Sequence, residues 1–173
     1  LRGHESDVSG LIQAAIEDAT QGGQGTAVQY AHWAIAVIMN GLGRYEEAAP
    51  AAMQASDDTP ELFVSMWSLS ELVEAATRTH DTELAAHGLQ QLCEHTRGSG
   101  AEWAQGMEAR ARALLDQGDG AEALYRASIE CLGRTRLRPE LARSRLLFGE
   151  WLRRTGRRVD AREQLQAAHD AFV

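Results

Sequence analysis

The sequence predicts an all-α fold: about four helical hairpins stacked behind one leading helix, about nine helices in a right-handed array. Three observations predict it. A phrase returns five times at intervals of 37 to 40 residues, beginning at Gly3, Gly43, His80, Gly118 and Gly156. Five residues on stand Val8, Ala48, Ala85, Ala123 and Ala161; four further on stand Ile12, Ala52, Leu89, Ala127 and Leu165. Ala, Leu, Glu, Arg and Gln abound, with only three prolines, so helix formers dominate. Apolar residues recur at spacings of three and four, the stripe of an amphipathic helix. A hairpin of this size cannot bury its apolar face alone, which is why such units stack.

The elements follow in order. Residues 5–20 carry Val8, Leu11, Ile12, Ala15 and Ile16 on one side, and the glycine-rich run 21–25 ends that helix. A second helix over about 27–41 carries Tyr30, Trp33, Ala34, Val37 and Ile38, and Gly41 and Gly43 close it because glycine accepts the left-handed C-cap. A third runs over about 44–56. Pro50 inside it withholds the amide that would bond Glu46, which predicts a bend or a late start. Thr59, Pro60 and Glu61 read as an N-cap, a first-turn proline and a charge suited to the helix dipole, opening a helix over about 60–78. Asp81 caps the next, about 82–96. Ser99 with Glu102, and Asp119 with Glu122, have capping-box spacing and open helices over about 101–117 and 120–133. Pro139 starts the eighth, about 139–155; Gly156 ends it, and the last runs from about 157.

Twelve residues before each later small position lie Ala36, Val73, Ala111 and Gly149, mostly small, which predicts close helix crossings within hairpins. Ala55, Leu92 and Ala168 share a third position, which Glu130 breaks in the fourth phrase. The chain of 173 residues reads as a single repeat domain, 1–173, with hairpins at about 27–56, 60–96, 101–133 and 139–173. It begins without Met and stops within an apolar pattern, which predicts a fragment of a larger protein.

Composition narrows the function classes. No apolar stretch approaches the ~18 residues of a membrane span. Cys93 and Cys131, one in each of two separate repeats, read as small buried apolar side chains in a reducing cytosol. All 17 basic residues are Arg. Residues 1–133 carry 7 Arg and 20 acids, a net −13, whereas 134–173 carry 10 Arg and 5 acids, a net +5.

The repeat pattern resembles the tetratricopeptide repeat, with a longer period. More specific are GLGRYEEAA at 41–49, ELVEAA at 71–76, GDGAEALY at 118–125, ELARSRLLFGEWLRR at 140–154 and RRVDAREQLQAAH at 157–169. Together they resemble the helical-repeat region of large ATP-binding LuxR-type, MalT-like transcriptional regulators, across essentially the whole chain. The resemblance implies an upstream nucleotide-binding module and a downstream helix-turn-helix domain, both outside these residues. A GxxxxGK[ST] loop needs lysine, which this chain lacks. For these residues the resemblance implies a regulatory sensor and interaction scaffold with no cofactor of its own, meeting DNA only through the missing domain. A generic protein-interaction repeat domain is the alternative.

In tetratricopeptide-like stacks the first helix of each hairpin lines the concave face. The alignment places Trp33, Asn40, Trp67, Ser70, Glu74, Glu108, Arg112, Glu150 and Arg153 there, as a groove for a protein or small-molecule effector. The alternative is that Trp33, Trp67, Trp103 and Trp151 fill gaps between helices. The basic run Arg134, Arg136, Arg138, Arg143, Arg145, Arg153, Arg154, Arg157, Arg158 and Arg162 reads either as an aid to DNA binding or as a solvated face paired with Glu140, Glu150, Asp160 and Glu163. Thin aromatic interleaving favours the solvated or interdomain reading. His87, Cys93 and His95 do not converge on a helix, where the last two point about 200° apart, so no metal site is expected. Acidic pairs such as Glu46 with Glu47 and Asp57 with Asp58 fall on polar faces, and no catalytic trio has readable spacing, so no enzyme is expected.

Overall fold

The computed structural model describes residues 5–56, 62–116, 118 and 120–172. Among these the chain forms nine helices and no strand: α1 Glu5–Gln21, α2 Gly25–Leu42, α3 Tyr45–Ser56, α4 Leu62–Arg78, α5 Thr82–Thr96, α6 Glu102–Leu115, α7 Gly120–Gly133, α8 Arg138–Arg154 and α9 Arg158–Phe172. Gly3, the Asp57–Glu61 stretch with its Thr59 and Pro60 start signal, and Asp119 lie outside the described residues, as do the side chains of Val8, Leu11 and Ile12. The helices fall into two compact units, residues 1–95 and 96–173.

In the first unit α3 packs against both α2 and α4, α2 also touches α4, and α1 packs on α2. The core is built from alanines where helices cross: Ala36 of α2, and Ala48, Ala52 and Ala55 of α3, all fully buried. Val73 of α4 is larger, and Gly88 of α5 makes room for it. A Cβ at 88 would lie 3.2 Å from Val73 Cγ2. Asp81 Oδ1 accepts the Leu84 amide at 3.0 Å and so caps α5. Pro50 lies within α3, which begins ahead of it at Tyr45; a late start does not occur, and the ring is exposed.

The repeated turn position has a common backbone cause. Gly43 has φ 76° and Gly156 φ 85°, both left-handed. His80, where the phrase lacks its glycine, takes the same conformation at φ 63°. At Gly43 the paired bonds of a Schellman turn close α2: Gly43 N to Asn40 O at 3.2 Å and Arg44 N to Met39 O at 2.9 Å.

In the second unit α6 packs on α7, α7 on α8 and α8 on α9. Ala113, Ala121, Tyr125, Leu147, Phe148, Leu152 and Ala161 form its core, with Trp151 packed at the edge. Tyr125 stacks on Phe148 at 5.5 Å between ring centroids, and Phe148 on Trp151 at 6.1 Å. Gly149 sits where α8 meets α9; a Cβ there would be 2.7 Å from Leu165 Cγ. Gly106 plays the same part for α6 and α7, against Leu132 Cγ at 2.7 Å.

The fourth phrase packs through a different set of residues. Ala123, Ala127 and Glu130 are exposed, and α7 instead buries Ala121, Tyr125, Ser128 and Leu132. The same i, i+4, i+7 face is used as in α3, but it starts two residues earlier. Tyr125 fixes it by inserting its ring into the core, and Ser128, not Glu130, occupies the third position. Its hydroxyl lies 2.9 Å from that of Ser144 on α8, two buried polar groups that satisfy each other. The Ser99–Glu102 capping box does not form either. α6 has Ala101 at its N-cap with no side-chain bond, and the Ser99 hydroxyl accepts the Ala101 amide at 3.3 Å.

Candidate functional site

The first unit carries the densest set of chemically distinctive side chains, along one side of α2 and α4. On α2, Tyr30, Trp33, Val37 and Asn40 follow at spacings of three and four, so they share a face. On α4, Phe63, Trp67, Ser70, Glu71 and Glu74 do the same. α2 and α4 are the first helices of successive hairpins and they touch, so the two faces meet.

The Trp33 and Trp67 rings lie 5.2 Å apart at an interplanar angle of 36°. Tyr30 sets its edge against Trp33 at 6.4 Å and 82°. Both tryptophans are half-buried. Tyr30, Val37 and Phe63 remain 42%, 39% and 56% exposed, so a ladder of aromatic and apolar groups opens to solvent here.

Further along both helices the face turns polar and closed. Asn40, Ser70, Glu71 and Glu74 are all buried. Asn40 Nδ2 donates to the Glu71 carboxylate at 2.8 Å and to the Glu71 carbonyl at 3.0 Å. A carboxylate taken from water is costly unless it accepts such bonds, so this amide ties the helices at one register. Asn40 Oδ1 is buried without a partner. His32, on the turn that carries Trp33, has its pKa lowered by burial, so its neutral form is favoured.

Of the nine residues expected in a groove, Trp33, Asn40, Trp67, Ser70 and Glu74 lie on these two faces. The first and third meet at a tilt, while Asn40 joins α4 through Glu71, which was not among the expected groove residues. Its signal was present: Asn40 and Glu71 are polar groups at stripe positions that otherwise take apolar residues. Glu108, Arg112, Glu150 and Arg153 lie in the second unit. There Glu108 pairs with Arg112 at 2.7 Å, one turn apart on α6, and accepts the Thr96 hydroxyl. Arg153 is exposed at the end of α8, and Glu150 is half-buried on the same helix. Trp151 packs on the core cluster of its unit, so it fills space there rather than opening to a ligand.

The basic run divides. Arg134 pairs with Glu102 at 3.0 Å and with Glu130, and Arg157 pairs with Glu122 and Asp160, both at 2.6 Å. Arg145 donates to Gln164 at 3.1 Å. Glu140 is taken not by the run but by Arg110 of α6, at 2.8 Å, one of the largest buried side chains. Both cysteines are free thiols, half-buried rather than fully enclosed. The Cys131 thiol is pushed up by burial and by its bond to Glu102, which disfavours the reactive thiolate. Among the described residues no three His, Cys, Asp or Glu side chains gather as a metal site, and no helix is long and apolar enough to cross a membrane. Comparison with protein families, with curated proteins and with solved structures found nothing that matches this chain.

Proposed function

We propose that these residues are the regulatory repeat region of a cytoplasmic LuxR-type transcriptional regulator, and that the α2–α4 face of the first unit is its effector-receiving surface. The carrying observation is the ladder Tyr30, Trp33 and Trp67, half-open to solvent where two first helices meet. Core aromatics are usually enclosed; a tilted pair left partly exposed offers an apolar platform to a small molecule or a partner helix. Asn40 and Glu71 beside it hold the two helices in register, so the platform is preorganised. The repeat stretches at 41–49, 71–76 and 140–169 support the family reading. In that reading the chain passes an effector signal from a nucleotide-binding module to a DNA-binding domain and carries out no chemistry itself.

The coding sequence on either side of residues 1–173 tests the family. A lysine-containing phosphate-binding loop upstream and a helix-turn-helix downstream are expected, and flanks of any other kind overturn it.

A further inference from the structure

We propose that the cleft between the end of α8 and the outer side of α9 is a binding site for a small organic phosphate, separate from the aromatic face. Arg153, Arg158 and Arg162 line it, together with Gln166 and His169. Its volume is about 420 Å³, within the range of small-ligand pockets. None of these three arginines makes an ion pair with a described carboxylate, in contrast to Arg134 and Arg157 of the same run.

Of the nearby acids, one is committed elsewhere, one lies against the cleft's own Gln166 and His169, and one is turned aside. Asp160 is held by Arg157 at 2.6 Å. Asp170 accepts Gln166 at 2.7 Å and lies 3.4 Å from His169. Glu163 follows Arg162 on α9, about 100° around the helix from it. Three guanidinium groups gathered without an ion pair of their own repel one another, and a multiply charged oxyanion relieves that repulsion. Arginine forks match phosphate oxygens in pairs, which makes phosphate the fitting anion.

The floor decides between ligand types. Ala161 and Leu165 form it, and Leu165 is held there by the tight crossing at Gly149. An apolar floor beneath an arginine rim suits a phosphate carried on an organic body better than a bare ion. A cleft of this size has room for such a molecule to lie along its floor, whereas a duplex would touch only its rim.

Titration of the 173-residue protein with phenyl phosphate, followed by ¹H–¹⁵N spectra, tests the site. Inorganic phosphate, phenol and a 20-base-pair duplex serve as the other arms. Shifts confined to residues about 151–170 are expected, with phenyl phosphate tighter than either fragment alone. Arg158→Gln with Arg162→Gln should weaken binding about tenfold or more. Both positions are exposed, so the melting temperature should not move; the single variant Arg162→Gln provides the same reading with a smaller loss. Absence of shifts, equal affinity for inorganic phosphate, or binding untouched by the double variant would overturn the proposal. Tighter binding of the duplex at these residues would also overturn it, in favour of a strand-binding face.

Discussion

His80 shows how one residue can carry a strain that its repeat partners avoid. Its φ of 63° is the conformation that Gly43 and Gly156 adopt at the equivalent turn. A side chain there costs about 1–2 kcal/mol. His80→Gly should therefore raise stability by about 1 kcal/mol, because the new residue's extra freedom in the unfolded chain offsets part of the gain. A chemical melt reads this directly; a destabilised variant would show that the imidazole makes a compensating contact. Gly149 is the reverse case. Alanine is the better helix former, yet its methyl group would stand 2.7 Å from Leu165 Cγ and 3.3 Å from the Ala161 carbonyl. Overpacking outweighs propensity, and Gly149→Ala should cost about 1–3 kcal/mol. Arg162→Gln, at an exposed position, should melt with the wild type.

At the scale of elements, burial separates platform from core. Leu72 of α4 is 2% exposed, and Leu72→Ala should cost about 2–5 kcal/mol. Trp67, four residues along from the exposed Phe63, is only half-buried, so Trp67→Ala should cost less despite its size. Thermal melts of the two variants give the order. The reverse order would make Trp67 a core residue and remove the platform.

The turn between α8 and α9 gives a second prediction. Arg157 there bonds Glu122 of α7 and Asp160 of α9. The Glu122 carboxyl is held below its ordinary value of 4.5, first by its bond to Arg157 and then by Arg126. A depressed carboxyl contributes stability above its unfolded pKa and loses it as pH falls through the folded value. Between neutral pH and about pH 3 the wild type should lose more melting temperature than Arg157→Gln. Parallel losses would place the acid sensitivity elsewhere.

Much of this element structure was legible in the sequence, because glycine turns and apolar spacing are local signals. Starts and stops at Asp81, Pro139 and Gly156 lie where those residues indicate. The fourth phrase was misaligned because Gly118 and Ala123 imitate the repeat, while the face that packs is chosen by where Tyr125 fits, a tertiary matter. The candidate platform was legible in part. Trp33 and Trp67 followed from the alignment, but Glu71 as the partner of Asn40 did not, since a pairing across 31 residues has no local mark.

For the whole molecule, the division into two units is also a division of charge. Residues 1–95 hold 3 Arg and 14 acids, a net −11; residues 96–173 hold 14 Arg and 11 acids, a net +3. Phosphate neutralisation is long-ranged and blind to sequence, so the acidic unit opposes a duplex while the basic one attracts it weakly. An anisotropy titration near physiological salt should show weak, salt-sensitive binding without sequence preference. Tight, selective binding would mean that these residues read DNA themselves.

The Arg157 clamp bears on how the chain opens. α9 is pinned at its first turn to α7 and within itself, whereas Ala171 and Phe172 at its far end are exposed. Opening of α9 therefore costs least at its exposed last turn and most as it approaches Ala161. In deuterium exchange this makes α9 a graded element, with amide protection rising from residue 172 back toward 161 and no separate opening at the hinge.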